Sequence, residues 1–185
     1  MSLEILVFDT ETTGLLKPSP AGIEKQPKII ELYARVMDED FNILREYESL
    51  YQIDAPLPEI IPRITGITDD MLEGEPFFMD EYKKLAEFFT GVDIMVAHNL
   101  NFDSSMLANE LIRIDKLIKF PWPRHHICTV EASMKIKGYR LKLLDLYDIF
   151  VGGTFNAHRA KEDVTALAKC FEAMTNKGII DLSNI

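Results

Sequence analysis

Residues 5–15, ILVFDTETTGL, run an apolar stretch straight into two acids separated by one residue. In a β-strand, side chains i and i+2 share a face. Asp9 and Glu11 therefore stand side by side where a buried strand ends. Like charges at that spacing repel, and burying either carboxylate is costly. The fold must expose the pair or bring positive charge to it.

The rest of the chain has the pattern of a mixed α/β protein. Glu4 to Phe8 reads as a central strand, apolar on both faces. Leu15 to Lys28, with Pro18, Pro20, Gly22 and Pro27, reads as a loop. Ile29 to Met37 and Ile43 to Tyr51 read as strands joined by the turn Asp38-Glu39-Asp40, and Ala55 to Ile67 as a Pro-rich irregular segment. Helical spacing covers Phe77 to Thr90, Asn101 to Asp115 and Leu141 to Phe150, with a short strand at Ile94 to Ala97. Gly152-Gly153 breaks the chain, and a last helix runs from His158 or Arg159 to about Asn176. Neighbouring strands first, then strands alternating with helices, make a mixed sheet. A length of 185 residues predicts one domain, 1–185, able to bury a core.

Two further acids share the oddity of the first pair. Asp103 begins a helix face continued by Met106, Leu107 and Ile114, and Asp163 begins one continued by Ala166, Leu167 and Cys170. Taken singly, each is a common helix-start aspartate. Together, Asp9, Glu11, Asp103 and Asp163 can converge from a strand and two helices, and divalent cations would neutralise them. Hard oxygen donors suit Mg²⁺ or Mn²⁺ rather than zinc. Two such ions about 4 Å apart serve phosphodiester cleavage by stabilising both attacking and leaving oxygens. His158, five residues before Asp163, is either a surface histidine at a helix start or a base beside the metals that takes a proton from water.

Charge sets a limit on partners. The net charge of −10 excludes a generally basic nucleic-acid-binding surface. Residues 113–142 nevertheless carry eight Lys or Arg and two acids, so that segment is +6 and the remainder −16. The segment fits a restricted path for an anion, although charge alone favours the plainer account of cations solvating helix surfaces. Cys128 and Cys170 form no framework and no zinc spacing, as expected of buried thiols in a reducing, cytoplasmic setting. No signal-peptide pattern and no membrane-length apolar run is visible, so no membrane partner is expected.

The stretches FDTETTG, AHNLNFD and HRAKED resemble, in order, the three signature motifs of the DEDDh group of 3′→5′ exonucleases, which includes the proofreading epsilon subunit of bacterial DNA polymerase III, ribonuclease T and oligoribonuclease. They span Phe8 to Asp163. One D-x-E is weak evidence; three ordered motifs outweigh the single-residue alternatives. The resemblance implies a ribonuclease-H-like α/β fold, a mixed five-stranded sheet flanked by helices. It implies Asp9, Glu11 and Asp163 around one Mg²⁺ or Mn²⁺, Asp9 and Asp103 serving a second, and His158 as general base. A related group places tyrosine four residues before the last acid; that position here is Arg159. The implied reaction releases nucleoside 5′-monophosphates from the 3′ end of a single-stranded nucleic acid.

The same resemblance gives Thr12, Thr13 and Gly14 a place near the terminal nucleotide, offering backbone N–H groups and a small surface; a simple turn also explains them. Asn99 caps the Asp103 helix or touches substrate. Phe102 stacks on a base or, the better reading beside a buried face, belongs to the core. Two positions depart from the family pattern. Thr65, in RITGIT, stands where many relatives have histidine, and the Leu15 to Lys28 loop is longer than usual. That loop either shapes the path of a 3′ end or is tolerated surface.

Thr12 directly after Glu11 favours DNA over RNA, because the oligoribonuclease pattern has methionine there. The alternatives are an exoribonuclease of the ribonuclease T or oligoribonuclease type, a non-catalytic nucleic-acid-binding module, and an acidic structural protein. A DNA polymerase is the implied protein partner, with the chain a monomer or homodimer.

Overall fold

A computed structural model describes residues 3–183; the outermost positions of the 1–185 expectation lie outside the described residues. Five strands form one sheet: β1 (Ile5–Thr12), β2 (Ile29–Met37), β3 (Ile43–Leu50), β4 (Ile94–Ala97) and β5 (His125–Cys128), in the order β3-β2-β1-β4-β5. β1 pairs antiparallel with β2, and β2 with β3, while β1–β4 and β4–β5 are parallel. The helices are α1 (Ile60–Thr65), α2 (Asp69–Leu72), α3 (Phe78–Phe89), α4 (Leu100–Arg113), α5 (Thr129–Lys137), α6 (Leu143–Phe150) and α7 (Ala160–Asn176). The mixed five-stranded sheet flanked by helices is the expected architecture.

The period-2 alternation of β1 divides the core. Leu6 and Phe8 join Leu32, Ala34, Met95, Leu85, Phe89, Met106 and Leu111 on the face covered by α3 and α4. Ile5 and Val7 join Tyr33, Ile94, Val164, Leu167, Phe171 and Met174 on the face covered by α7. Continuing the alternation puts Asp9 and Glu11 on the α7 side and Thr10 on the α4 side. The end of β1 is thus a seam where both layers can reach it.

Several elements differ from expectation for local reasons. β1 continues through Asp9 to Thr12 because β2 pairs with it as far as Ile29. α1 forms inside the Pro-rich segment: Pro62 falls in the first turn, where the missing N–H has no intrahelical partner to lose. α2 is capped by the Thr68 side chain, which accepts from Met71 N–H. β5 and α5 lack a readable pattern; β4 supplies the pairing that makes HHIC a strand. α6 starts at Leu143 rather than Leu141, and α7 at Ala160, leaving His158 in the preceding loop with φ 72°. Cys170 is buried, but Cys128 is only half-buried beneath the α3–α4 layer. Among the described residues, no helix is long and apolar enough to cross a membrane.

Candidate active site

The seam at the end of β1 opens into a cavity of about 610 Å³ whose lining includes Asp9, Glu11, Asp103, His158 and Asp163. β1 supplies the first two acids, the first turns of α4 and α7 supply Asp103 and Asp163, and the loop before α7 supplies His158. Carboxylate oxygens of Asp9, Glu11 and Asp163 lie within 4.8 Å of one another. Asp103 stands outside that trio but inside the same cavity. One of its oxygens, Oδ1, accepts from the Thr10 N–H at 3.1 Å and the Thr10 hydroxyl at 2.8 Å. Thr10 is the β1 residue between Asp9 and Glu11 that faces α4, so one strand aims all three groups.

The electrostatics are those of a site short of positive charge. Burial, then the repulsion of Asp103, Asp163 and Glu11, raises the Asp9 carboxyl well above its ordinary range. Burial, with Asp163 and Glu31 nearby, pushes Glu11 up to about 8. Burial takes Asp103 to about 7 against the opposing Thr10 bonds, and Asp163 to about 6 against the His158 N–H that it accepts. This all-oxygen donor set suits a hard divalent cation.

His158 is exposed at the cavity edge, and its backbone N–H donates to Asp163 Oδ2 at 2.8 Å. The bond closes the turn that leads into α7. Asn99 is not a side-chain cap: it precedes α4 in a left-handed conformation with φ 76° and makes no capping bond. Its Oδ1 instead accepts from Arg140 Nη2 at 3.2 Å, and it lines the cavity. Phe102 both packs on the α3–α4 core and lines the cavity.

The Thr-Thr-Gly turn leads from the end of β1 into the 15–28 loop. None of Thr12, Thr13 and Gly14 lines this cavity. The Thr12 hydroxyl donates to Gly14 O at 2.8 Å. The Thr13 N–H donates to Lys28 O at 2.9 Å, so it is not free for a nucleotide. Thr13 and Lys28 close the base of the 15–28 loop, and the Arg113 guanidinium ties its far side to α4 through the carbonyls of Ile23, Gln26 and Pro27. No residue of that loop lines the cavity. Thr65 points inward: its hydroxyl donates to Ile61 O and accepts from Ile67 N–H, both at 3.0 Å.

The basic segment splits. Arg113 holds the loop and Lys116 lies over the Tyr82 ring, whereas Arg140 and Lys142 line the same cavity as the acids. Neither of the latter two forms an ion pair with a described residue. Two residues given no role from the sequence also shape the site. His98 bridges Thr129 Oγ1 at 2.9 Å and Leu141 O at 3.1 Å, and burial pushes its ring down to about 4. It anchors the Arg140–Lys142 segment as a neutral imidazole. Glu31, a lone acid in the apolar strand IIELYARVM, is buried behind Arg159. Its only sequence signal is that isolation.

Comparison with known proteins follows the same outline. A family model described as exonuclease matches residues 6–171. The DNA polymerase III subunit epsilon of Treponema pallidum is 31% identical over 173 residues, covering 90% of this chain and 74% of that protein. The PolC-type DNA polymerase III of Bacillus subtilis is 37% identical over 184 residues, or 94% of this chain but 12% of that polymerase. The chain thus spans about an eighth of the PolC-type polymerases it matches. Among solved structures, the nuclease domain of 3′hExo, a DEDDh family member bound to rAMP, superposes with a TM-score of 0.76 at 16% identity, over 96% of this chain and 94% of that one. At that identity the likeness is one of fold.

Proposed function

Since the chain belongs to the exonuclease family, we propose that it removes nucleotides one at a time from the 3′ end of single-stranded DNA by metal-dependent hydrolysis, releasing nucleoside 5′-monophosphates. The observation that carries this reading is the trio Asp9, Glu11 and Asp163, with oxygens within 4.8 Å of one another, sharing one cavity with Asp103 and His158.

Asp9, Glu11 and Asp163 would hold one Mg²⁺ or Mn²⁺, and Asp9 with the free oxygen of Asp103 a second. Bound there, such ions stabilise negative charge on the oxygens of a phosphodiester under attack. The chain's own residues do the remainder. His158 Nδ1 or Nε2 takes the proton of the attacking water, whose oxygen bonds to phosphorus as the bond to the 3′-oxygen of the preceding nucleotide breaks, and that oxygen takes a proton from solvent to become the new 3′-hydroxyl of the shortened strand. Arg140 and Lys142 hold phosphates of the strand against the repulsion of the acids. Leu141, Leu143 and Phe102 give the terminal base an apolar wall.

The polymerase relatives favour DNA and a proofreading place beside a replicative polymerase. Digestion of labelled DNA and RNA strands of one sequence, at equal Mg²⁺ or Mn²⁺, tests the substrate. Faster DNA shortening is expected, and a clear RNA preference would overturn it in favour of an exoribonuclease. Proofreading predicts faster removal of a mismatched than of a paired 3′ nucleotide; equal rates would contradict it.

A further inference from the structure

Glu31 lies on β2 directly across from Glu11 on β1. An uncompensated carboxylate beside an acidic cluster is unfavourable, yet this one is only 2% exposed. Its partners account for it. Arg159 Nη2 donates to Glu31 Oε1 at 2.6 Å, and Arg159 Nε lies 3.1 and 3.2 Å from its two oxygens. The backbone N–H of Ala160, the first residue of α7, donates to Glu31 Oε2 at 2.9 Å. One buried carboxylate therefore grips both a side chain and a main-chain group at the point where the 151–159 loop becomes α7.

That point lies between the two groups that must be aimed. His158 is the residue before Arg159, held at φ 72°, a conformation that a side chain other than glycine adopts at a cost. Asp163 is one turn further on, its N–H donating to Arg159 O at 2.9 Å. We propose that Glu31 is the positioning residue of the site: by gripping Arg159 and the Ala160 N–H, it fixes the His158 ring and the Asp163 carboxylate relative to Asp9 and Glu11. The inference rests on the exonuclease reading above.

The rest of α7 does not need this grip. Its apolar face, including Val164, Leu167, Phe171 and Met174, is buried on the sheet. Lys161 pairs with Glu48 at 2.8 Å, and Arg35 Nη2 meets Thr165 Oγ1 at 3.3 Å. Loss of the Glu31 grip frees the first turn, not the helix. The bidentate geometry also makes Arg159 irreplaceable by lysine, which offers a point charge and no fork.

The test compares wild type, Glu31→Gln, Arg159→Lys, the double variant Glu31→Gln/Arg159→Lys, and Lys161→Gln as a control that cuts a different tie of the same helix. The readouts are kcat and KM on a single-stranded oligonucleotide in Mn²⁺, and hydrogen exchange of residues 157–163. Glu31→Gln and Arg159→Lys should each lower kcat roughly 10- to 100-fold with KM within about twofold. The double variant should lose no more than the worse single change, and exchange at Ala160 should accelerate in Glu31→Gln. Lys161→Gln should match wild type. Wild-type kcat in folded Glu31→Gln, an equal loss in Lys161→Gln, or a change confined to KM would overturn the proposal. If Glu31→Gln does not fold, Arg159→Lys carries the test, and wild-type kcat there has the same force. A wild-type protein that shortens no strand would instead overturn the exonuclease reading.

Discussion

The backbone N–H of His158 donates to the carboxylate of Asp163 at 2.8 Å, so the proposed base and the acid proposed to hold a metal are set by one turn of chain. The bond belongs to the main chain, so removing the imidazole leaves it in place. His158→Ala should therefore keep Mn²⁺ affinity and lose roughly 10²- to 10⁴-fold in kcat. Asp163→Ala should lose affinity as well as rate. Calorimetric Mn²⁺ titration beside steady-state kinetics checks both, and equal affinity in the two variants would contradict the division of roles.

The raised carboxyls make stability depend on pH in the metal-free protein. Glu11 rises from its ordinary 4.5 to about 8. Between those values the folded state holds a proton that the unfolded chain releases, so the free energy of unfolding falls as pH rises through the window. In chelator-treated protein, wild type should lose melting temperature relative to Glu11→Gln from about pH 5 to pH 8, and Mn²⁺ should restore it. A difference that stays flat across that range would be inconsistent with this environment for Glu11.

Arg140 and Lys142 test the path of the strand. Both are exposed in the cavity and free of ion pairs with described residues. Replacing both by glutamine should raise KM and flatten its dependence on salt, by about 0.7 in logarithmic slope per lost single-strand contact, with kcat little changed. An unaltered salt slope would remove them from the strand path.

His98 should stay neutral through the physiological range. Leu141 O can only accept, so Nε2 carries the proton and Nδ1 accepts from the Thr129 hydroxyl. The ring, pushed down to about 4 by burial, should show no titration by NMR between pH 8 and 5.5. A midpoint near 6.5 would place it in solvent.

Much of this site is legible in the sequence because simple periodicities determine it. The i, i+2 spacing aligns Asp9 with Glu11, and the helix-start positions of Asp103 and Asp163 let them reach one seam. β2 and β4 have the bounds their apolar runs predict. What stayed hidden depends on partners distant in sequence. HHIC becomes a strand only through β4, and Glu31 reads as an anomaly until Arg159, 128 residues on, meets it. The Thr-Thr-Gly turn was legible as a turn, but that its Thr13 N–H is taken depended on Lys28.

Thr65 shows the same dependence. Its hydroxyl closes the end of α1, so Thr65→Val leaves the buried Ile67 N–H without its partner and should cost about 1–3 kcal/mol of stability. Activity at a temperature where the variant is folded should not change. A loss of kcat there would give this loop a part in the reaction that its inward side chain does not suggest.

The most direct test of the central claim uses a 5′-labelled single-stranded DNA with either a free or a blocked 3′ end, in Mn²⁺, with wild type and Asp9→Asn. The account predicts a ladder shortening from the free 3′ end with release of nucleoside 5′-monophosphates, no digestion of the blocked strand, and none by Asp9→Asn. Equal digestion of the blocked strand, or undiminished digestion by Asp9→Asn, would contradict it.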